Sequence, residues 1–269
     1  MRLALRLQSL AFLLFAGAAA PVAANFAFAV SPPRFELTAK PGERLRNVIQ
    51  ISNVSSANSA LLVRTADWEL RPNDTVHFHE DLQAGSCRPW VAIERRELVV
   101  AARQTYRFRF EVTPPADQPR GECRFAIMLE GRDATAPSGA NAAPPVAGRM
   151  GVIVYVAVGG AQPQLSVAAL RTENRGGERA IVLDVRNDGD AHGRLDGFLT
   201  LTDASGQAFD ASPAGTPILP GETRTVALSL TRKGAAAGST TRAVFPAHLK
   251  GKLEWGQGRA TEIDQRVDP

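Results

Sequence analysis

The chain has 269 residues and a mass of 28.7 kDa, which fits one large domain or two ordinary domains. Hydrophobic residues make up 44% and charged residues 22%, so a wholly disordered chain is excluded. Gly occurs 23 times and Pro 18 times, and this density of turn-forming residues favours short strands over long helices. The only long apolar run lies at the N-terminus, which excludes a multi-span membrane protein.

The N-terminal segment has the pattern of a secretory signal peptide. Two arginines precede the apolar stretch Leu10–Ala20, and small residues end at Ala24. We expect a signal peptide over residues 1–24, with cleavage after Ala29 as the second choice and an uncleaved anchor as the alternative. The mature chain is then expected to be exported, with no stable membrane insertion. Its formal net charge of +4 falls by two with the signal arginines.

The remaining charges and the two cysteines limit the kinds of partner and of chemistry that the protein can have. No Lys/Arg run is longer than two residues, so we expect no nucleic-acid partner. Cys87 and Cys123 are the only cysteines, and in an oxidising compartment such a pair is most simply a disulfide. It would close a loop of about 37 residues and contribute on the order of 4 kcal/mol. A reactive thiol or a pair of metal ligands is the alternative, although no nearby His-Cys spacing indicates zinc.

Period-2 alternation predicts that the first half is β-structure. Residues 71–83 are predicted to be a polar turn, and the Ala/Pro/Gly-rich segment 133–148 a mobile loop. The predicted strands are Arg34–Thr38, Asn47–Ser52, Leu61–Trp68, Trp90–Glu94, Glu97–Val100, Thr105–Val112, Cys123–Glu130 and Arg149–Val158.

The second half repeats the pattern after a break at Gly159, Gly160 and Pro163. We therefore expect an all-β protein of two tandem immunoglobulin-like β-sandwiches, an N-terminal domain over residues 25–160 and a C-terminal domain over 161–269. The predicted strands of the second domain are Gln164–Leu170, Arg179–Arg186, Gly197–Thr202, Thr223–Thr231, Val244–Leu249 and Gly251–Trp255.

Catalytic motifs are scarce. The sequence has no Gly-x-Ser-x-Gly elbow, no His-Glu-x-x-His zinc motif, no phosphate loop and no dinucleotide fingerprint. His77 and His79 lie on one face if their stretch is extended, but two ligands on a loop fall short of a closed metal site. We therefore expect a protein that is not an enzyme and that has no metal and no cofactor.

Several first-half segments resemble periplasmic pilus-assembly chaperones of the chaperone–usher pathway, the PapD-like family. These segments are Val30–Leu37, Ile51–Asn53, Leu61–Trp68, Cys123–Gly131 and Arg149–Val156. The resemblance covers about 130 residues and is weak in the second half. It implies two immunoglobulin-like domains set at an angle, in the periplasm. It also implies that the last first-domain strand completes an unfinished subunit, whose C-terminal carboxylate is bound by two basic residues in the cleft.

Only one of the family's two basic anchoring residues has a counterpart at the matching position of this sequence. Arg34 stands at the family's first anchoring position, and its planar guanidinium suits a carboxylate. The second anchor, usually Lys, falls on or near Gly151, and Arg149 lies two residues earlier on the same strand face. The resemblance thus implies carboxylate binding by Arg34 and Arg149. An ordinary exposed strand arginine is the alternative for Arg34.

The strand Arg149–Val158 is the predicted donor strand. Met150, Val152, Val154 and Val156 share one face and would be offered to the partner, as in β-augmentation. The alternative is a strand buried in its own sandwich. The implied partner is a secreted pilin-like or other β-subunit, with an outer-membrane usher as a further partner.

Three functions remain open at this stage. The first is a chaperone-like protein, and the second is a non-catalytic structural or interaction protein of the envelope, which the missing second basic residue favours. The third is an accessory domain pair of a secreted enzyme. A free edge on the strand Arg149–Val158 would favour the first over the second.

Overall fold

The computed structural model describes residues 27–132, 148–233, 242–256 and 258–269. The predicted signal peptide lies outside the described residues, as does the predicted mobile loop apart from Gly148. Within the described ranges, no helix is long and apolar enough to cross a membrane.

Over its described residues, the first half consists of ten strands and one turn of 3-10 helix, and most of the strands coincide with a stretch of alternating or continuous apolar residues. The 3-10 turn covers Arg88–Trp90, where a strand is predicted to begin. The strands are β1 (Phe28–Ser31), β2 (Arg34–Ala39), β3 (Leu45–Asn53), β4 (Ser59–Leu70), β5 (Val76–His79), β6 (Val91–Ile93), β7 (Glu97–Val100), β8 (Thr105–Val112), β9 (Gly121–Gly131) and β10 (Arg149–Val158).

These strands form two sheets that enclose one apolar core. One sheet has the order β1-β3-β8-β6, and the other has the order β2-β10-β9-β4-β5, with β7 also paired to β4. In β8, Phe108, Phe110 and Val112 are buried while the alternate residues Arg107 and Arg109 are exposed. This is the half-buried antiparallel strand that its sequence predicts.

Over its described residues, the second half forms a single path of seven strands around a separate core. The order is β11-β12-β15-β14-β13-β16-β17. Strand β15 pairs with β12 through residues 223–227 and with β14 through residues 228–232, so it links the two sides of this sandwich. The strands are β11 (Leu165–Arg175), β12 (Glu178–Asn187), β13 (Asp196–Thr202), β14 (Ala208–Pro213), β15 (Thr223–Arg232), β16 (Ala247–Trp255) and β17 (Arg259–Val267). The fold is therefore all-β with two β-sandwiches, as predicted.

A disulfide joins Cys87 to Cys123, with 6.1 Å between the two Cα atoms. It ties the segment before the 3-10 turn to β9, and Cys87 is fully buried in the first core. The 3-10 turn leads into β6 of one sheet, and β9 belongs to the other sheet. The disulfide therefore connects the two sides of the sandwich.

The prediction of a continuous polar turn over residues 71–83 is wrong at its centre. Val76–His79 forms β5, which pairs with residues 67–70 of β4. The reason is tertiary, since Phe78 of β5 packs with Trp68 and Met128 in a small apolar cluster on the outer face of the second sheet. Four residues of strand with a single packed aromatic give little periodic signal in sequence.

Candidate functional site

A cavity of about 420 Å³ lies where the two sandwiches meet. From the first domain it is lined by Arg34, Trp68, Ile153 and Tyr155, and from the second domain by Arg194 and its neighbours. Its floor is apolar and aromatic, and two guanidinium groups stand at its wall. Such a surface suits an apolar chain that carries a negative charge.

Arg34 begins β2 and lies directly opposite Ile153 of β10 in the parallel register. Its side chain is 52% exposed, and its Nε donates to Glu36 Oε1 at 2.9 Å. Within the described residues, its two terminal nitrogens have no hydrogen-bond partner. These nitrogens can therefore donate hydrogen bonds to a further carboxylate.

Arg194 is the second basic residue of the cavity, and sequence reasoning missed it. It lies in the connection between β12 and β13, and its Nη2 donates to the Tyr155 hydroxyl at 3.2 Å. Its Nη1 donates to the Gly215 carbonyl, and its buried Nε lies 3.6 Å from Glu36 Oε1 without a hydrogen bond. No motif marks this arginine, because only the packing of one domain on the other brings it beside Arg34.

A histidine that contacts two glutamates lies next to this cavity. His192 stacks on Tyr155 with ring centroids 3.6 Å apart, and its Nδ1 lies 2.5 Å from Glu122 Oε2. Burial opposes the charged imidazolium, but hydrogen bonds with Glu122 and Glu36 outweigh it and raise the pKa of His192. Hydrogen bonding to His192, against the effect of burial and with the help of Arg34, lowers the pKa of Glu36 to about 2.

The structure does not bring Arg149 to Arg34. Arg149 lies four residues before Ile153, so it is roughly 13 Å along the strand from the position opposite Arg34. Its guanidinium binds Glu130 at 2.7 Å and Glu80 at 2.9 Å. Arg64 contacts the same two carboxylates, which makes a closed four-residue ion network.

Position 151, where the second anchor of the family would fall, is covered by β5. A Cβ atom added to Gly151 would lie 2.6 Å from Cζ of Phe78 and 3.1 Å from Sδ of Met128. No longer side chain fits there while Phe78 keeps its place. The absence of a basic residue at this position therefore has a packing reason in this chain.

The predicted donor residues point into the sandwich. Val152, Val154 and Val156 have 0% exposed surface and belong to the first core, while Met150 is partly buried. The structure thus shows the buried arrangement that the sequence left as the alternative. Donation of these side chains to a partner stays a prediction, and it would require them to leave the core.

One edge of β10 is nevertheless open over its first four residues. Strand β10 pairs with β9 along its whole length, but it pairs with β2 only over residues 153–158. In the described part of the chain, residues 149–152 have no strand partner on the β2 side. A strand lying there parallel to β10 would end with its carboxyl group at Arg34, because β2 begins at that point.

No protein-family model matches this chain, and no curated protein matches it at a significant level. Its fold is similar to solved structures of chaperones. The class 5 fimbriae chaperone CfaA is 11% identical, with 90% of this chain and 99% of that chain covered and a TM-score of 0.47. The CupB2 chaperone of Pseudomonas aeruginosa is 11% identical, with 89% and 100% covered and a TM-score of 0.47.

A third similar structure is a CsuC–CsuE chaperone and tip subunit complex from the archaic chaperone–usher Csu pili of Acinetobacter baumannii. It is 12% identical, with 89% of this chain and 97% of that chain covered and a TM-score of 0.44. This third protein belongs to the chaperone–usher class that the first-half motifs resemble.

Proposed function

We propose that this protein is a non-catalytic, chaperone-like protein of the periplasm that binds the C-terminal strand of a secreted surface subunit. The observation that carries the proposal is the open edge of β10 at residues 149–152, which leads directly to the guanidinium of Arg34. A backbone edge followed by a positive charge is the arrangement that an extended chain with a terminal carboxylate requires.

In the proposed complex, the subunit strand pairs with β10 in the parallel direction and is held mainly by backbone hydrogen bonds. Its carboxylate binds the terminal nitrogens of Arg34, and Arg194 provides the second positive charge of the cavity. An apolar side chain near the C-terminus packs on Trp68, Ile153 and Tyr155. No nucleotide is needed, because release would be driven by later exchange between subunits.

This proposal changes the role of two predicted groups. Arg149 is assigned to the ion network with Glu80 and Glu130, so Arg34 and Arg194 form the anchoring pair. The buried residues Val152 and Val154 are assigned to the core of this domain, and binding uses the strand's backbone edge. A pilin-like β-subunit remains the proposed partner, and an outer-membrane usher a further one.

A second candidate is a structural or interaction protein of the envelope that keeps the sandwiches without an assembly role. The burial of Val152, Val154 and Val156 favours it, because a donor strand would present such residues to its partner. The open edge is also only four residues long, which limits the backbone pairing that it offers.

Capture from periplasmic extract separates the two candidates. The mature protein is used as bait beside Arg34→Glu, Arg149→Glu and the control Arg107→Glu, an exposed arginine of β8 on the other sheet. We expect a small secreted β-subunit to co-purify with the wild type, with Arg149→Glu and with the control, and to be lost with Arg34→Glu. Equal capture by all four proteins, or no such subunit with the wild type, would contradict the chaperone proposal.

A further inference from the structure

The hairpin of β4 and β5 brings together three metal-ligating side chains on the face opposite to Trp68 and Val76, which line the cavity. Glu69 of β4 lies directly opposite His77 of β5 in the antiparallel register. His79 is two residues further along β5, so it shares the face of His77. The three side chains therefore stand on one face of the hairpin.

Their ligand atoms are close enough for one ion. One atom from each of Glu69, His77 and His79 lies within 4.8 Å of the others, and His79 Nε2 is 3.7 Å from Glu69 Oε2. In a tetrahedral zinc site, ligand atoms stand roughly 3.3 Å apart, since each is about 2.0–2.1 Å from the metal. Closing the set from 4.8 Å to this spacing shortens each ligand–ligand distance by at most about 1.5 Å.

We propose that Glu69, His77 and His79 form a binding site for a divalent transition-metal ion of the zinc class. Two imidazoles and one carboxylate are a donor set that suits Zn²⁺, Ni²⁺ or Cu²⁺ and that hard cations such as Mg²⁺ do not prefer. The group contains these three ligands within the described residues, so a water molecule or a ligand from a partner would occupy the fourth position.

The neighbouring charges are compatible with this assignment. Arg71 donates from its Nε to Glu69 Oε1 at 3.3 Å, which leaves the other carboxylate oxygen facing His79. Asp67, which lies opposite His79, is already held by Ser86 Oγ at 2.6 Å and by the backbone nitrogen of Gln83 at 3.0 Å. Asp67 is therefore a structural acceptor and not a fourth ligand.

A bound ion would fix β5 against β4, and this has a consequence for β10. Phe78 lies between the two histidines and points to the opposite face, where it covers Gly151. The ion would thus clamp the hairpin that covers the outer face of β10. The sequence shows only His77 and His79 as a pair, because Glu69 joins them through the hairpin register.

Metal titration of the untagged mature protein tests the site. We expect one Zn²⁺ per chain by calorimetry, absorption bands of four-coordinate Co²⁺ on cobalt titration, and a higher thermal midpoint with Zn²⁺ than with chelator. His77→Ala, His79→Ala and Glu69→Gln should each weaken Zn²⁺ binding at least about tenfold. His248→Ala, an exposed histidine of the second domain, should bind like the wild type.

The variants are compared first in chelator, where equal thermal midpoints show that the exposed substitutions leave the fold intact. Binding of Zn²⁺ by the wild type that none of the three substitutions weakens would overturn the proposal. So would a wild type that binds no Zn²⁺, or a loss of binding on His248→Ala alone. None of these outcomes depends on the peptide-binding function.

Discussion

His192 of the second domain contacts two acidic residues of the first domain, Glu122 and Glu36. Its backbone nitrogen and its ring both bind Glu122, and its Nε2 lies 3.7 Å from Glu36. Tyr155 stacks on the ring, and burial raises the pKa of that tyrosine to about 12. The imidazolium form is therefore the form that this interface stabilises.

We expect this contact to make stability depend on pH. Because the folded-state pKa of His192 is raised, its contribution is complete below the ordinary value of about 6.5 and is lost as pH rises through the raised value. The free energy of unfolding should therefore fall between about pH 6 and pH 9 in the wild type, and fall less in His192→Gln. Urea unfolding of both proteins at both pH values measures this pH dependence. An equal change in the free energy of unfolding for the wild type and His192→Gln would contradict the stabilising role of the imidazolium.

Glu36 acts in the opposite pH range. Its pKa is lowered to about 2, so its contribution is present above the ordinary pKa of about 4.3 and is lost as pH falls towards 2. Acid unfolding should therefore begin at higher pH in Glu36→Gln than in the wild type. Glu43→Gln, an exposed glutamate in the turn after β2, is the matched control and should leave the acid transition unchanged. Superimposable acid transitions for the wild type and Glu36→Gln would count against this role.

At the scale of elements, β5 and β10 are coupled through one close contact. Gly151→Ala would place a methyl group against the Phe78 ring, and overpacking of this kind costs about 1–3 kcal/mol. The double variant Gly151→Ala with Phe78→Ala should be more stable than the sum of the single effects predicts. Denaturant unfolding of the four proteins in a double-mutant cycle measures the coupling, and additive effects would show that the contact is absent.

The disulfide constrains the segment between the β5 hairpin and β9. Its cysteines are 36 positions apart, and a loop of this size contributes about 2–4 kcal/mol in practice. Replacing both cysteines by alanine should lower the free energy of unfolding by that amount. The same result should follow from reduction of the wild type, whereas a reduced protein of unchanged stability would contradict the expectation.

Most strands were predictable because their side chains alternate. Thr105–Val112 and Arg149–Val158 are observed with the predicted bounds, since apolar runs and turn residues mark their ends. Strand β17 escaped prediction because only Ile263 and Val267 among its nine residues are buried. Strand β14 escaped for a similar reason, since Phe209 and Ala211 are its only buried residues.

At the scale of the whole molecule, charged contacts hold the two sandwiches together. Arg224 of β15 is 6% exposed, and it donates to Asp74 at 2.8 Å and to the Arg71 carbonyl at 3.3 Å in the first domain. Arg120 and Asp190 pair across the same interface. The cavity beside Arg34 therefore depends on how the domains are docked.

Arg224→Ala should loosen this docking. Loss of hydrogen bonds from a buried charged group typically costs about 2–3 kcal/mol, so the thermal midpoint should fall and the two domains should unfold in separable steps. Arg186→Ala, which removes a surface pair with Asp188, is the matched control and should change stability by less than about 1 kcal/mol. Equal effects of the two substitutions in calorimetry would show that Arg224 does not couple the domains.

Of the two arginines at the candidate site, only Arg34 could be predicted from the sequence. Arg34 follows from a local motif, but Arg194 reaches the cavity from the other domain, and no spacing in the sequence relates the two. Arg149 was the reasonable second choice because it shares the strand face. The carboxylates that neutralise it are Glu80, which directly follows β5, and Glu130, which lies on β9, and they become neighbours only on folding.

The central claim is that the cavity beside Arg34 binds a terminal carboxylate. The direct test compares peptides that alternate apolar and polar residues, each made once as a free acid and once as an amide, for binding to the mature protein. We predict that the acid binds at least about tenfold more tightly, since a charge-assisted hydrogen bond contributes about 1.5–3 kcal/mol. This difference should vanish in Arg34→Ala and persist in Arg107→Ala. Equal affinities for acid and amide in the wild type would contradict the claim.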